Sequence, residues 1–131
     1  MANKNDIVIC DTDVIIEAFR NNKQVIDELA EIGYNNIAIS IVTFAELLAG
    51  ARNKIEFNNI YKKVSTINIL EINSHISDIF NKLITDYSLS HSIGIPDSLI
   101  AATSIYFSTE LFTFNRKHFH FIPDLILYNF K

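Results

Sequence analysis

Apolar residues recur along this chain with two different spacings. Ile7 to Cys10 is an unbroken apolar run, the pattern of a strand covered on both faces. Asn36 to Ser40 (NIAIS), Ile67 to Ile72 (INILEI), Glu110 to Phe114 (ELFTF) and Leu125 to Phe130 (LILYNF) are further strand candidates. Between them the spacing lengthens to three and four. Val25, Ile26, Leu29 and Ile32 fall on one helical face, with Gly33 as its stop. Phe44, Leu47, Leu48 and Ala51 make a second face, and Phe57, Ile60, Tyr61 and Val64 a third. Ile76, Ile79, Phe80, Leu83, Ile84 and Tyr87 make a fourth, with Asn73 or Ser74 as N-cap. Leu99, Ala102, Ile105 and Tyr106 make a fifth, starting near Pro96, and Thr12 and Asp13 open a helix directly after the first strand. This alternation predicts an α/β fold with a mostly parallel sheet and helices on both faces. In such sheets the functional crevice lies outside the carboxyl ends of the strands.

Composition narrows the class. The chain has 131 residues, one typical domain, and with 49% hydrophobic residues, 3 Gly and 2 Pro it is globular rather than disordered. No uncharged apolar run is long enough to span a membrane, and Met1 to Asp6 lack the apolar stretch of a secretory signal. A lone Cys10 excludes an intrachain disulfide and fits a reducing cytoplasm. The formal charge of −4 argues against coating nucleic acid by bulk electrostatics. It is compatible with a nuclease, whose acidic site is offset by bound cations.

The acids are where the chemistry lies. Asp11 ends the first strand, at the crevice, and a buried carboxylate is costly unless paired. Asp97 follows Pro96 in a first helical turn. Glu46 is the sole ionisable group of the helix predicted over Ile41 to Ala51. Each has a plain structural reading. Asp13 fits an N-cap, Asp97 a favourable place on the helix dipole, and Glu46 a narrow solvent stripe with Thr43 and Gly50. One fold nevertheless carries Asp11, Glu46 and Asp97 to the same sheet edge. Clustered carboxylates repel and raise each other's pKa, which a hard divalent cation, Mg²⁺ or Mn²⁺, relieves. His75, His91, His118 and His120 show no zinc spacing; His118 and His120 alternate with Phe119 and Phe121 as one exposed face. The Lys62–Lys63 pair reads as a solvated face.

Four segments, VICDTDVIIEAF, ISIVTFAELLAGA, GIPDSLIAATS and LFTFNRKHFHFIPDL, resemble in order and spacing the PIN-domain endoribonucleases, and more narrowly the VapC-type toxins of toxin–antitoxin pairs. The resemblance runs from about Ile7 to Leu125. It implies a three-layer α/β/α sandwich around a central, mostly parallel five-stranded sheet, one PIN domain over residues 1–131. It also implies an Mg²⁺- or Mn²⁺-dependent endoribonuclease in which Asp11, Glu46 and Asp97 take the three metal-ligand positions. Thr113 and Asn115 fall on the Thr-x-Asp or Thr-x-Asn element, here with an uncharged Asn. Asp13 stands where the family often has Asn, and with Thr12 and Thr113 would support the ligands. In-line attack by water would leave a 3′-hydroxyl and a 5′-phosphate. Arg116 and Lys117 are candidates for flanking RNA phosphates, Arg20 and Arg52 weaker ones. The resemblance further implies a homodimer and a cognate antitoxin, encoded by a short frame immediately upstream, that wraps the toxin and plugs its acidic site. Two alternatives stay open. Asn115 is compatible with a degraded PIN fold kept as a binding module. The run ending in Asp11 and Asp13 also resembles haloacid-dehalogenase-type phosphatases, in which Asp11 would be the nucleophile, although Val14–Ile15 replaces their Gly-Thr.

Overall fold

The computed structural model describes residues 6–130. Five strands form one sheet in the order β3-β2-β1-β4-β5. They are β1 (Val8–Cys10), β2 (Ile37–Ser40), β3 (Asn68–Leu70), β4 (Glu110–Phe112) and β5 (Ile126–Leu127). All four pairings are parallel, so the expected mostly parallel sheet is wholly parallel among the described residues. Six helices connect them: α1 (Thr12–Phe19), α2 (Lys23–Ile32), α3 (Ile41–Ala49), α4 (Lys54–Val64), α5 (Ser74–His91) and α6 (Ile95–Phe107).

Side-chain alternation along the strands builds two cores. Val8, Cys10, Ile37, Ile39 and Phe112 face one side, where they meet Val14 and Ile15 of α1, Val25 and Leu29 of α2, Leu47 of α3 and Val64 of α4. Ile9, Ala38 and Leu111 face the other, against Ile76 and Leu83 of α5 and Ile100, Ala101 and Ala102 of α6. The result is the expected α/β/α sandwich. Nearly every strand residue in the centre is buried on whichever face it meets, which is why those stretches read as unbroken apolar runs.

Local signals set the boundaries. Asn73 caps α5, its Oδ1 accepting from the Ile76 N–H at 2.9 Å. Gly33 terminates α2 with φ of 97°, a conformation that glycine adopts without strain. Asp11 holds the N-cap position of α1, which moves Asp13 from its expected cap to the second helical residue. α3 stops at Ala49 rather than Ala51, with Gly50 as its C-cap.

The chain leaves β1 for β2 on one side, moves outward to β3, and then returns across to β4 on the other side of β1. The strand order therefore reverses between β1 and β4. A crevice opens beyond the carboxyl ends of strands at such a reversal. Asp11 follows β1 there and Thr113 follows β4.

Candidate active site

Asp11 lies at that reversal and is 6% exposed. Its backbone N–H continues the ladder to the Phe112 carbonyl at 2.8 Å, which fixes where the side chain emerges. Oδ1 accepts from the Thr12 N–H at 2.7 Å, and Oδ2 accepts from the Thr113 hydroxyl at 2.8 Å. Thr113 Oγ1 accepts in turn from the Asn115 N–H at 3.0 Å. Both carboxylate oxygens are thus held, one from each of the two strand ends.

These bonds do not make Asp11 an easy anion. Burial raises its pKa from the ordinary 3.8 to about 6, the negative charges of Asp13 and Asp97 push in the same direction, and the two hydrogen bonds pull against them. Asp13 is raised chiefly by burial, and its Phe114 and Val14 backbone bonds oppose that, with Asp97 adding to the rise. Asp97 is raised by burial and by Glu46, and lowered by His118. Asp11, Asp13 and Asp97 each sense another carboxylate, and Glu46 acts on Asp97, so the four acids share one sheet edge. The Cys10 thiol behind them is fully buried and pushed up by burial and by Asp11, which leaves it an inert core residue.

The remaining side chains are separately anchored. Thr12 Oγ1 donates to Glu46 Oε1 at 2.6 Å and lies 3.1 Å from Thr43 Oγ1. Thr43 is fully buried and takes the Ser40 hydroxyl as its own N-terminal cap acceptor. Of the solvent stripe expected for Glu46 with Thr43 and Gly50, Glu46 and Gly50 are exposed and Thr43 is buried. Glu46 faces outward beside Ala45 and Ala49 but is tethered to α1. Asp97 is the third residue of α6; it makes no cap bond and instead meets His118 Nδ1 through Oδ2 at 3.4 Å. Asp13 Oδ2 accepts from the Phe114 N–H at 3.1 Å and from Asn115 Nδ2 at 3.2 Å. Asp13 Oδ1 is buried and finds no donor among the described residues.

Among the described residues no three His, Cys, Asp or Glu side chains are close enough to hold one metal ion between them. The anchors explain this: Thr12 holds Glu46 on one side and His118 holds Asp97 on the other. The donor chemistry nonetheless suits a hard dication. Beside the His118 imidazole and the Asn115 amide it offers carboxylate and hydroxyl oxygens, one of them an orphaned buried carboxylate oxygen, and charges that raise each other's pKa. Asp97 is half-buried and Glu46 exposed, so neither carboxylate is locked into the core.

The basic candidates separate. Arg116 Nη1 donates to the Tyr128 carbonyl at 3.0 Å, tying the loop after β4 to the C-terminal strand. Arg20 and Arg52 form exposed pairs with Glu17 and Glu56 on their own segments. Lys117 is exposed and makes no ion pair among the described residues. His118 is the residue that sequence reasoning missed. It is exposed together with His120, as its alternation with Phe119 and Phe121 implies, and the short 3-10 turn Arg116–His118 carries it to Asp97, a contact the alternation does not disclose. Buried Phe119 pins that turn. A lone His three residues past Asn115 was the available signal, and it is a weak one.

The chain matches the PIN domain family over residues 8–123. It is 33% identical over 120 residues to Ribonuclease VapC19 of Mycobacterium tuberculosis (strain CDC 1551 / Oshkosh), an alignment that covers 89% of this chain and 95% of that protein. Its fold is similar to VapBC2 from Rickettsia felis, solved bound to a DNA fragment from their promoter, with a TM-score of 0.82, 28% identity, and coverage of 95% of this chain and 99% of that one. It is also similar to a toxin–antitoxin complex from Klebsiella pneumoniae, with a TM-score of 0.76, 28% identity, and coverage of 91% and 95%. No helix among the described residues is long and apolar enough to cross a membrane. The phosphatase alternative falls with these matches, and the paired carboxylates at the β1/β4 reversal sit on the fold they identify: the chain belongs to the PIN domain family.

Proposed function

We propose that this protein is a divalent-cation-dependent endoribonuclease and the toxin of a toxin–antitoxin pair, with Asp11, Glu46 and Asp97 as the carboxylates that hold the cation. The observation that carries the reading is Asp11, buried at the strand reversal and raised to about 6 while coupled to Asp13 and Asp97. A fold keeps such an unfavourable carboxylate where a bound cation or a reaction uses it. The similarity to a ribonuclease and to toxin–antitoxin complexes supports the substrate and the partner.

Mg²⁺ or Mn²⁺, when bound, supplies a Lewis acid that offsets phosphate charge and acidifies water. The chain's own residues do the rest. Thr12 and Thr113 fix both oxygens of Asp11. The Thr12 hydroxyl holds Glu46 at the mouth of the site. Asn115 spends its amide on Asp13, and the pair clips the first turn of α1 to the segment after β4. Water attack in line with the leaving 3′ oxygen leaves a 3′-hydroxyl and a 5′-phosphate. The partner is a cognate antitoxin with a cationic segment that suits the −4 charge, and the toxin pairs with a second copy of itself.

The test is cleavage of a panel of structured RNAs by the purified protein, with 5′ ends mapped, in Mn²⁺ and in EDTA. Cleavage in Mn²⁺ alone is expected, lost in Asp97→Asn, together with an Mn²⁺-dependent rise in melting temperature that Asp97→Asn reduces. RNA left intact by the antitoxin-free protein in Mn²⁺, with no thermal response to the ion, refutes the reading.

A further inference from the structure

A cavity of about 460 Å³ opens beside the carboxylate group, between the end of α5 and the loop after β4. That volume lies within the range of pockets that enclose small ligands, roughly 300–1,000 Å³. Its walls carry His91, Gly94, Asp97, Lys117, His118 and Phe121. Asp97 is therefore shared: the same side chain faces the site and bounds the hollow. Whatever fills the hollow lies next to the reacting phosphate.

Three features fix what chemistry fits. The His91 imidazole stacks on Phe121 with centroids 4.1 Å apart and planes 16° apart. Tyr87 braces both rings edge-on, at 5.5 Å from His91 and 5.1 Å from Phe121. His91 is the last residue of α5 and is exposed, so this rigid aromatic stack is open to solvent at the hollow. Second, Lys117, which also lines the hollow, has no ion-pair partner among the described residues. Third, His118 bridges the hollow to the site through Asp97. An aromatic platform and a free cation lining one hollow are the pairing that takes a π-face and a phosphate together.

We infer that this hollow is the subsite for one unpaired nucleotide adjoining the scissile phosphate, its base on His91 and its phosphate at Lys117. The inference rests on the ribonuclease reading above and adds where the strand runs: toward α5, past Asp97. It also makes the substrate single-stranded at that position, because a base held in a duplex stack cannot reach His91.

The experiment uses the full chain carrying Asp11→Asn, which lies outside the hollow, to bind without cleaving. The probe is a fluorescent single-stranded RNA of about ten nucleotides, and the same strand annealed to its complement, read by anisotropy. Adding His91→Ala weakens single-strand binding about ten-fold, and His91→Phe restores it to within about two-fold, since one base–aromatic stack is worth roughly that much. Lys117→Ala lowers the slope of log affinity against log salt by about 0.7, the loss of one phosphate contact. The duplex binds more weakly than the single strand. Both positions are exposed, and circular dichroism checks that each variant is folded. Binding unchanged by His91→Ala, His91→Phe as weak as His91→Ala, or an unaltered salt slope in Lys117→Ala overturns the assignment. If wild-type protein cleaves RNA while these variants bind normally, the subsite alone is wrong. If wild-type protein neither cleaves nor binds RNA, the ribonuclease reading fails and takes the subsite with it.

Discussion

Replacing Asp11 by Asn is expected to inactivate the protein and to make it more stable. The carboxyl is raised from 3.8 to about 6. At about 1.36 kcal/mol per pKa unit, an ionised Asp11 costs the folded state about 3 kcal/mol at neutral pH. The sign follows from proton counts. The folded protein binds the proton more tightly than the unfolded chain, so stability from this group is greatest below about pH 4. It declines as pH rises to about 6 and is flat above that. Asn removes the charge. Its carbonyl oxygen can still accept from the Thr12 N–H, and its amide can donate to Thr113 Oγ1 once that hydroxyl turns. Re-pairing of this kind costs about 1 kcal/mol, which leaves a net gain of about 2 kcal/mol at pH 7 in EDTA.

Urea denaturation reads this directly. With a slope of about 2 kcal/mol/M, the Asp11→Asn midpoint should rise by about 1 M at pH 7, with no change in slope. The gain should shrink as pH is lowered, vanish near about pH 4.5, and become a loss of about 1 kcal/mol below about pH 3, where wild-type Asp11 is protonated in both states. A variant that is no more stable than wild type at pH 7, or whose gain does not change with pH, would show that the Asp11 charge is not under strain in the fold. The argument for a cation-holding group would then lose its footing.

Two further predictions concern the side chains around Asp11. Thr12→Val keeps the shape of the residue but frees Glu46. It should lower kcat/KM for RNA by about 10- to 100-fold while shifting stability by no more than about 1 kcal/mol, and Thr12→Ser should restore activity. Asn115→Asp puts a carboxylate where an amide now bonds Asp13 at 3.2 Å, and should destabilise the protein by about 1–2 kcal/mol in EDTA; adding Asp13→Asn should return that loss, a coupling a double-mutant cycle measures and additivity would refute.

The fold was legible because burial writes itself into spacing. β1 and β2 sit between two helical layers, so their residues are apolar whichever way they point. The helices each show one apolar face. Strand ends were less legible. Leu125 to Phe130 reads as a strand, yet β5 covers only Ile126–Leu127; the Tyr128 N–H makes one more bond, to the Leu111 carbonyl at 2.8 Å, and the Tyr128 and Phe130 rings pack on Phe112 at 4.9 and 5.2 Å. Ile67 to Ile72 shortens to Asn68–Leu70, since β3 is an edge with one neighbour to bond. Aromatic and aliphatic residues look alike in the sequence whether they are in a ladder or only against it.

The site was legible where position decides chemistry and illegible where partnership does. Asp11 stood out because a polar residue ended a buried strand, and Asn115 looked like a defect, a missing charge that motivated the binding-module alternative. Its partner 102 residues away changes that reading. Asp13 supplies a carboxylate and Asn115 an amide. The two meet, the amide donating to the carboxylate. Two carboxylates there would repel across 3.2 Å; two amides would leave the edge one charge short. The pair therefore keeps one negative charge and one donor near Asp11. Read singly, position 115 argues for decay. Read as half of a pair, it is the donor that holds the Asp13 carboxylate near Asp11.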